Sequence, residues 1–306
     1  MTRKVLIVTH SGRPEALSAL DVATQELSQA GFTVARHIDA LSPDFGDAQA
    51  TAHLREGVTD CELVMVLGGD GSILRAAELT FGTAVPILGV NLGHMGFLAE
   101  AERENLHDVV QRIARREYEV EERTVAAVTV TPPGGVDPIT AWALNEATVE
   151  KAGRLRLIEV GIGVDDRPLS SIGCDGVIIA TSTGSTAHAF SAGGPIMWPD
   201  LDALLLIPLA AHALFSRPLV IGPRSAFQVT VLGRSPLPAV LTCDGRRTTD
   251  LPPGSRVDVR VGDKPIRFAR LHTAPFADRL VSKFSLPIKG WREIAEDAAA
   301  NRESSR

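Results

Sequence analysis

The chain of 306 residues is longer than the roughly 250–300 residues at which one hydrophobic core usually stops growing, so we expect two domains. Hydrophobic residues make up 44% and charged residues 22%, which is the balance of a folded globular protein. The net charge is −6 and the basic residues are scattered, which argues against a nucleic-acid binder with its basic stripe. An anionic substrate would have to be held by backbone amides, helix N-termini or a metal ion.

The cysteines and the N-terminus indicate the compartment. Cys61, Cys174 and Cys243 are widely spaced and form no CxxC pair, so neither a disulfide framework nor a zinc site is indicated. The sequence enters an apolar, strand-like run at residues 5–8 without a signal segment, and no later run approaches ~18 apolar residues. We therefore expect a cytoplasmic protein that has no membrane partner.

The first part of the chain, residues 1–119, alternates short apolar runs with helical patterns. Strands are predicted at 4–9, 32–38, 61–67 and 86–91, and helices from near Pro14 and over 72–79, with Ser72 as the N-cap of the second helix. The fully apolar run 63–67 suits a strand that is buried on both faces of a parallel sheet. The pattern predicts an α/β N-terminal domain with a parallel sheet.

Residues 120–272 consist of short segments rich in Val, Ile and Thr, divided by turn signals, which predicts an antiparallel, all-β C-terminal domain. One such signal, Asp244-Gly245 between two apolar runs, is interpreted as a hairpin turn. The C-terminal tail, residues 273–306, carries large apolar side chains that would otherwise face water. We expect the tail to pack back on the N-terminal domain.

The most informative stretch is Gly68-Gly69-Asp70-Gly71-Ser72, which follows a buried strand and precedes a helix. Ligands bind α/β sheets at such strand ends, glycines allow close backbone approach to a phosphate, and a helix N-terminus favours negative charge. The Asp70 carboxylate would repel a phosphate, so it implies a Mg²⁺ ion or a role as a base. The alternative interpretation is a tight structural turn; the spacing is neither that of a Walker A loop nor that of GxGxxG.

Two further stretches carry polar groups suited to a nucleotide. The apolar run 177–180 leads into Thr181-Ser182-Thr183-Gly184-Ser185-Thr186, which offers hydroxyls and amides to a polar ligand. The pair Asn145-Glu146 ends the run 139–144 and could contact a base and ribose hydroxyls, although such a pair alone indicates little.

Taken with residues 91–98, Asn-Leu-Gly-His-Met-Gly-Phe-Leu, these stretches resemble the NAD kinase family, which has a GGDG turn, an NE pair and a GDG-to-TSTGSTAY-like segment ending in Gly-Gly. Their order and spacing agree over most of the chain. The resemblance implies phosphoryl transfer from ATP or polyphosphate to the adenosine ribose 2′-hydroxyl of NAD, with a divalent cation such as Mg²⁺, by a homodimer or homotetramer. The sequence leaves open which donor is preferred and whether NADH is also a substrate.

The resemblance also implies site residues, in a cleft between the two domains. Asp70 is the implied catalytic base. The implied donor-binding residues are Gly68, Gly69, Gly71 and Ser72. The implied NAD-binding residues are Asn145, Glu146, Asp175, Thr183, Thr186, Ala187, His188 and Phe97. The chain departs from the family pattern where it has His188 in place of the usual Tyr and Ser182 in place of a common Pro.

Two other functions are compatible with parts of this pattern. A related lipid or sugar kinase would share the GGDG turn, but the Asn145-Glu146 pair and the hydroxyl-rich loop favour a dinucleotide. A non-catalytic sensor of NAD or NADP would share the pocket, but it would have no use for the Asp70 carboxylate.

Overall fold

The computed structural model describes residues 3–10, 14–39, 57–92, 96–99, 101–102, 105–153, 156–213, 216–271 and 275–288. The helices are α1 Pro14–Gln29, α2 Asp70–Thr80, α3 Leu106–Arg115, α4 His188–Ser191 and α5 Phe276–Phe284. The strands are β1 Lys4–His10, β2 Thr33–Asp39, β3 Leu63–Leu67, β4 Ile87–Asn91, β5 Ala101–Glu102, β6 Glu119–Arg123, β7 Ala126–Thr131, β8 Ile139–Ala143, β9 Glu146–Lys151, β10 Ile158–Val164, β11 Arg167–Cys174, β12 Gly176–Thr181, β13 Leu204–Leu209, β14 Leu219–Ile221, β15 Ala226–Val231, β16 Ala239–Cys243, β17 Arg247–Leu251, β18 Arg256–Val261 and β19 Ile266–Arg270.

The N-terminal part is built on a mostly parallel sheet in the order β2-β1-β3-β4-β19-β6, with β5 paired to β4. Alternate residues of β3 point to opposite faces, so Leu63 and Met65 join one core and Val64 and Val66 join the other. Helices α1 and α3 cover the first face and α2 covers the second. The prediction of an α/β domain is confirmed, and burial on both faces explains why β3 is apolar throughout.

Helix α2 begins earlier than the sequence pattern predicts. Its N-cap is Gly69 and its first residue is Asp70, so the prediction of Ser72 as the N-cap is wrong. The Ser72 amide lies inside the first turn and donates to the Gly69 carbonyl at 3.0 Å. A Cβ atom on Gly68 would lie 2.6 Å from Ser72 Oγ. Because Gly68 leaves that space, the helix starts directly after the strand.

The C-terminal part contains two antiparallel six-stranded sheets, in the orders β11-β10-β15-β18-β7-β8 and β14-β13-β12-β9-β16-β17. Their inner faces share one apolar core, to which Val160 and Phe227 contribute from the first sheet and Val177 and Leu241 from the second. The sheet-rich character is confirmed. The prediction of an all-β domain needs one correction, because a 3₁₀ turn, Gly184–Thr186, and the short helix α4 lie between β12 and β13.

Strands β6 and β19 hydrogen-bond in the first sheet, although nearly all of their residues belong to the range 120–272. Ion pairs from Arg270 to Glu121 and from Arg267 to Glu122 join the two strands across their antiparallel register. The chain therefore leaves the first sheet at β6 and returns to it at β19. The division into 1–119, 120–272 and 273–306 stays a prediction.

Helix α5 lies against aromatic side chains from two regions of the chain. Phe284 is 5.6 Å from Phe97 and 4.5 Å from Phe190, measured between ring centroids, and Phe276 is 5.1 Å from Trp198. Residues 289–306 of the predicted tail lie outside the described residues, so packing of the whole tail on the N-terminal domain stays a prediction. Among the helices of the described ranges, none has the length and apolar character needed to cross a bilayer.

The return of β19 to the first sheet predicts a large loss of stability when Phe268 is truncated. Phe268 is fully buried and lies opposite Ile87 of β4 and Glu121 of β6. We expect Phe268→Ala to lower the free energy of unfolding by about 3–5 kcal/mol, measured by denaturant titration. The control is Val120→Ala on β6, where the side chain is 50% exposed. Equal effects of the two substitutions would contradict the assignment of β19 to this core.

Candidate functional site

A cleft of about 540 Å³ opens at the carboxyl ends of β1 and β3. The predicted donor-binding residues all line it, namely Gly68, Gly69, Gly71 and Ser72. Its opposite side is formed by Asp244 and Arg246, from the hairpin that joins β16 and β17. The N-terminus of α2 faces this space, so its first amides and its dipole favour an anion there.

The Asp70 carboxylate is fixed by the segment that contains Phe97. The amide of Phe97 donates to Asp70 Oδ2 and the amide of Leu98 donates to Oδ1, each at 3.2 Å. A Cβ atom on Gly96 would lie 2.1 Å from Asp70 Oδ1, so only glycine at this position allows the approach. Each oxygen keeps a lone pair for a further partner, and the backbone holds the carboxylate in one orientation.

Asn145 and Glu146 lie where the chain crosses from one antiparallel sheet to the other, between β8 and β9. Both residues are buried, and Glu146 Oε2 has no hydrogen-bond partner within the described residues. Burial, followed by the nearby charge of Asp244, raises the pKa of Glu146 to about 7, against the effect of a hydrogen bond from the His188 backbone amide. An acceptor that is buried and unsatisfied is suited to a ligand hydroxyl.

The hydroxyl-rich loop after β12 uses most of its hydroxyls to hold its own shape. Thr181 Oγ1 donates to the Leu144 carbonyl at 2.5 Å, and Ser185 Oγ donates to the Ser182 carbonyl at 2.7 Å. Thr186 Oγ1 donates to the Thr183 carbonyl at 3.2 Å. Each of these hydroxyls keeps lone pairs that can accept from a ligand, so the expectation of ligand contacts stays a prediction. The loop presents backbone amides and the ring of His188, which is exposed.

The loop and the Asn145-Glu146 pair are packed together at Gly184. A Cβ atom on Gly184 would lie 1.9 Å from the Asn145 carbonyl oxygen, so a side chain cannot be accommodated. The Thr181 amide also donates to that carbonyl, at 2.9 Å. The loop that carries Thr183, Thr186, Ala187 and His188 therefore begins against Asn145, and the His188 backbone amide reaches Glu146. That these residues bind NAD stays a prediction.

Asp244 connects the cleft to the Asn145-Glu146 pair. Its carboxylate accepts the amides of Leu144 at 3.0 Å and Asn145 at 2.7 Å, and its own amide donates to the Glu146 carbonyl at 2.9 Å. Burial raises the pKa of Asp244, and Arg247 acts in the opposite direction. Asp244 and Gly245 have φ angles of 52° and 70°, so the predicted hairpin turn is confirmed.

The sequence alone predicts no site role for Asp244. The only signal for one is that the triplet Cys-Asp-Gly occurs twice, at 174–176 and at 243–245. From the sequence, a hairpin turn is a sufficient explanation of the second triplet. The structure adds that Asp244 of this turn lines the cleft.

The cationic residues of the cleft were also missed. Arg75 of α2 and Arg246 both line it. Burial lowers the pKa of Arg75, and the positive charge of Arg246 lowers it further. Glu78 Oε1 lies 3.6 Å from Arg246 Nε and 3.4 Å from Arg247 Nε. Scattered arginines give no signal in a sequence, because these two come from segments about 170 residues apart.

Two predicted NAD-binding residues are placed differently from the rest. In the pairing of β12 with β9, Ala180 lies opposite Glu146 and Gly176 lies opposite Glu150. Asp175 is thus about 15 Å along the strand from Glu146, where it pairs with Lys151. Phe97 is buried against α5, and only its backbone reaches Asp70. Within this chain, the structure does not bring Asp175 together with the other predicted residues.

The chain is similar to known NAD kinases over nearly its whole length. The family models "ATP-NAD kinase N-terminal domain" and "ATP-NAD kinase C-terminal domain" match residues 5–118 and 144–271. NAD kinase 2 of Streptomyces coelicolor is 51% identical over 294 residues, covering 95% of this chain and 97% of that protein. The NAD kinase of Thermobifida fusca is 49% identical over 311 residues, covering 99% of this chain and 94% of that protein.

Two solved structures have a similar fold. A yeast NADH kinase complexed with NADH has a TM-score of 0.80 at 21% identity, covering 94% of this chain and 89% of that chain. An NAD kinase from Archaeoglobus fulgidus in complex with ATP has a TM-score of 0.70 at 25% identity, covering 92% of this chain and all of that chain. Two matching family models and relatives about half identical over almost the full length lead to one conclusion: the chain belongs to the NAD kinase family.

Proposed function

We propose that the cleft at the GGDG turn binds the phosphoryl donor, that Asn145, Glu146 and the loop 181–188 bind NAD, and that the two sites meet at Asp244. The observation that carries this proposal is the position of Asp244. It lines the donor cleft and also accepts the amides of Leu144 and Asn145. The reaction is the phosphorylation of NAD to NADP.

The donor side is formed by Gly68, Gly69, Gly71 and Ser72 at the N-terminus of α2. Backbone amides, together with the helix dipole, favour the terminal phosphates of a donor at this position. The archaeal relative that is described in complex with ATP supports ATP as one donor. Polyphosphate has the same phosphate chemistry and stays the alternative donor.

On the acceptor side, Glu146 is suited to accept hydrogen bonds from the adenosine ribose hydroxyls. Its buried oxygen needs such a partner, and the Asn145 side chain can contact the base. The yeast relative complexed with NADH supports a dinucleotide at this position. Asp175 stays a proposed contact, although in this chain it lies at the far end of β12.

Asp70 is the proposed base. The ribose 2′-oxygen forms a bond to the terminal phosphorus while the bond from that phosphorus to the leaving phosphate oxygen breaks, and the hydroxyl proton passes to an Asp70 oxygen. The amides of Phe97 and Leu98 hold the carboxylate in place for this transfer.

NAD kinases generally use a divalent metal ion, and we propose Mg²⁺ for this chain. Within the described residues no three His, Cys, Asp or Glu side chains are grouped to hold a metal. Mg²⁺ commonly binds through substrate phosphates and one or two carboxylates, and Asp70, whose two oxygens each accept one backbone amide, fits this mode. The ion would supply neutralisation of phosphate charge.

We also propose a homodimer or homotetramer. Edge strands of the two antiparallel sheets carry large apolar side chains that are exposed, namely Ile139 on β8 (42%), Leu169 on β11 (55%) and Val220 on β14 (54%). Exposed edges of this kind favour association with a second copy. Light scattering coupled to gel filtration should give the mass of two or four chains, and a monomer at micromolar concentration would contradict this proposal.

A cytoplasmic location is proposed because Cys61, Cys174 and Cys243 are all free and buried, which suits a reducing compartment.

The test of the function is incubation with NAD or NADH, Mg²⁺ and either ATP or polyphosphate, followed by separation of the nucleotides. Formation of NADP that depends on the donor is expected. No phosphorylated dinucleotide with any of the four combinations would contradict the proposal.

For the proposed base, Asp70→Asn should lower kcat by about two to four orders of magnitude, because Asn cannot accept the hydroxyl proton. The matched control is Gly96→Ala, which keeps the carboxylate but displaces it by steric contact. We expect the alanine variant to lower kcat less than Asp70→Asn does, because the carboxylate is displaced but still present. A kcat of Asp70→Asn close to that of the wild type would remove Asp70 from this role.

For Glu146, the raised pKa predicts opposite effects on stability and on binding. Its pKa rises from 4.5 to about 7 on folding, so the charge destabilises the ligand-free fold progressively between pH 4.5 and about 7, and fully above about 7. We expect Glu146→Gln to raise the Tm of the ligand-free protein at pH 8. The same change should weaken NAD binding by about 1.5–3 kcal/mol, because charge-assisted bonds to the ribose are lost.

The pH profile provides the check. The KM for NAD of the wild type should fall as pH rises through about 7, and the profile of Glu146→Gln should be flat over that range. The control is Glu119→Gln, which removes an exposed carboxylate from β6 and should change neither Tm nor KM. An unchanged KM in Glu146→Gln would place Glu146 outside the NAD site.

A further inference from the structure

Two guanidinium groups share the cleft without an assigned role. Arg75 comes from α2 and Arg246 from the β16–β17 hairpin. They are close enough for the charge of Arg246 to lower the pKa of Arg75. Two cations placed together repel one another unless an anion lies between them. Glu78 acts on Arg75 in the opposite direction and also lies near Arg246, so one carboxylate serves both guanidinium groups. Because both groups line the same cleft as the glycines of the GGDG turn, this cleft is suited to an anionic ligand.

Glu78 is the counter-ion that the chain itself supplies to Arg246. It lies one turn along α2 from Arg75 and is only 16% exposed. Its Oε1 atom is 3.6 Å from Arg246 Nε, which is longer than the roughly 2.7–2.9 Å of a charge-assisted hydrogen bond. At this separation Oε1 attracts the Arg246 guanidinium without a hydrogen bond to Nε, so a ligand phosphate can compete for that nitrogen.

The neighbouring Arg247 has a structural role. It donates to the Trp142 carbonyl at 2.7 Å and to Asp244 Oδ2 at 2.5 Å, and its guanidinium lies 4.2 Å from the centroid of the Trp142 ring. That ring stacks on Phe81 at 4.1 Å, next to the end of α2. Arg247 thus fixes the hairpin against the N-terminal part, and this fixed hairpin holds Arg246 at the rim of the cleft.

We propose that Arg75 and Arg246 form a clamp, one residue from each domain, that binds the terminal phosphates of the phosphoryl donor, and that Glu78 competes with the donor for Arg246. The inference rests on the proposed donor cleft and goes beyond its backbone amides. Guanidinium groups suit this role because their planar fork can bind two phosphate oxygens at once. The clamp recognises the phosphate chain, so ATP and inorganic polyphosphate are both bound by it.

The clamp also makes donor binding dependent on how the two domains are arranged. Arg75 is carried by the GGDG helix, and Arg246 by the hairpin whose Asp244 holds the Asn145 amide. A donor that bridges the two arginines therefore stabilises the arrangement in which the donor turn and the NAD-binding pair face each other. This is a positioning effect in addition to charge neutralisation.

The test measures binding of inorganic tripolyphosphate by calorimetry, and the KM for ATP and for NAD, in the full-length protein. Arg246→Gln should weaken tripolyphosphate binding and raise the KM for ATP by about ten- to a hundredfold, with the KM for NAD changed by less than about twofold. Arg246→Lys should lie between this variant and the wild type. The matched control is Arg260→Gln, an exposed arginine on β18 that pairs with Asp263.

Glu78→Gln tests whether Glu78 opposes or supports the binding of tripolyphosphate. Removal of the competing carboxylate should tighten tripolyphosphate binding by about two- to tenfold. A residue that only supports the fold would produce the opposite result, because its loss would weaken binding or leave it unchanged. This variant and Arg246→Lys decide the question if Arg246→Gln does not fold.

The proposal is overturned if tripolyphosphate binds Arg246→Gln, or both Arg246→Lys and Glu78→Gln, as it binds the wild type. It is also overturned if the KM values for ATP and NAD rise together in Arg246→Gln, which would show general damage to the hairpin. Tripolyphosphate binding does not require NAD to be phosphorylated. A wild type that binds tripolyphosphate through Arg246 but forms no NADP would contradict the proposed function while supporting the clamp.

Discussion

The arrangement of the site depends on the Asp244 carboxylate and the backbone amides of Leu144 and Asn145 that it accepts. These amides lie where the chain leaves one antiparallel sheet and enters the other, so no strand partner is available to them. A buried amide without an acceptor is costly, and Asp244 supplies the acceptor from a hairpin distant in sequence. The same bonds place that hairpin over the GGDG turn. The hydrogen bonds that satisfy these two buried amides therefore also hold the hairpin in place as one wall of the cleft.

The site brings together charged side chains whose burial or mutual repulsion lowers the stability of the ligand-free fold. Glu146 and Asp244 are both buried, and burial raises the pKa of each. Arg75 and Arg246 line the same cleft as Asp244. Acidic groups at the proposed NAD site and basic groups at the proposed donor site match a pair of ligands, of which one donates hydroxyl hydrogen bonds and the other carries negative charge. Destabilisation of the ligand-free state is the expected consequence of such preorganisation.

The sequence predicted those features that depend on local chemistry. The apolar run 63–67 indicated a doubly buried strand, and Gly68 to Ser72 indicated a turn from strand to helix, because both signals lie within a few residues. Phosphate binding at that turn stays a prediction. The start of α2 was misjudged by two residues, since Ser72 is a good N-cap by type while the glycines allow an earlier start. The hydroxyls of loop 181–186 were predicted to contact a ligand, and several of them also donate to backbone carbonyls, which a sequence does not show.

What the sequence could not predict are contacts between distant segments. The return of β19 to the first sheet depends on pairing with β6, whose alternating charges look like a solvated strand until Arg267 and Arg270 are placed opposite. Asp244, Arg75 and Arg246 have no local motif that distinguishes them from surface charges. Their positions at the cleft depend on the contact between the hairpin and α2.

The net charge of −6 pointed away from basic side chains as the means of holding an anion, whereas the fold brings two arginines together in one cleft. The charge that acts on a ligand is the local one, because water and counter-ions screen the rest within about 10 Å. A net negative charge is therefore compatible with the proposed binding of phosphate by these two arginines, which the fold brings together although they are distant in sequence.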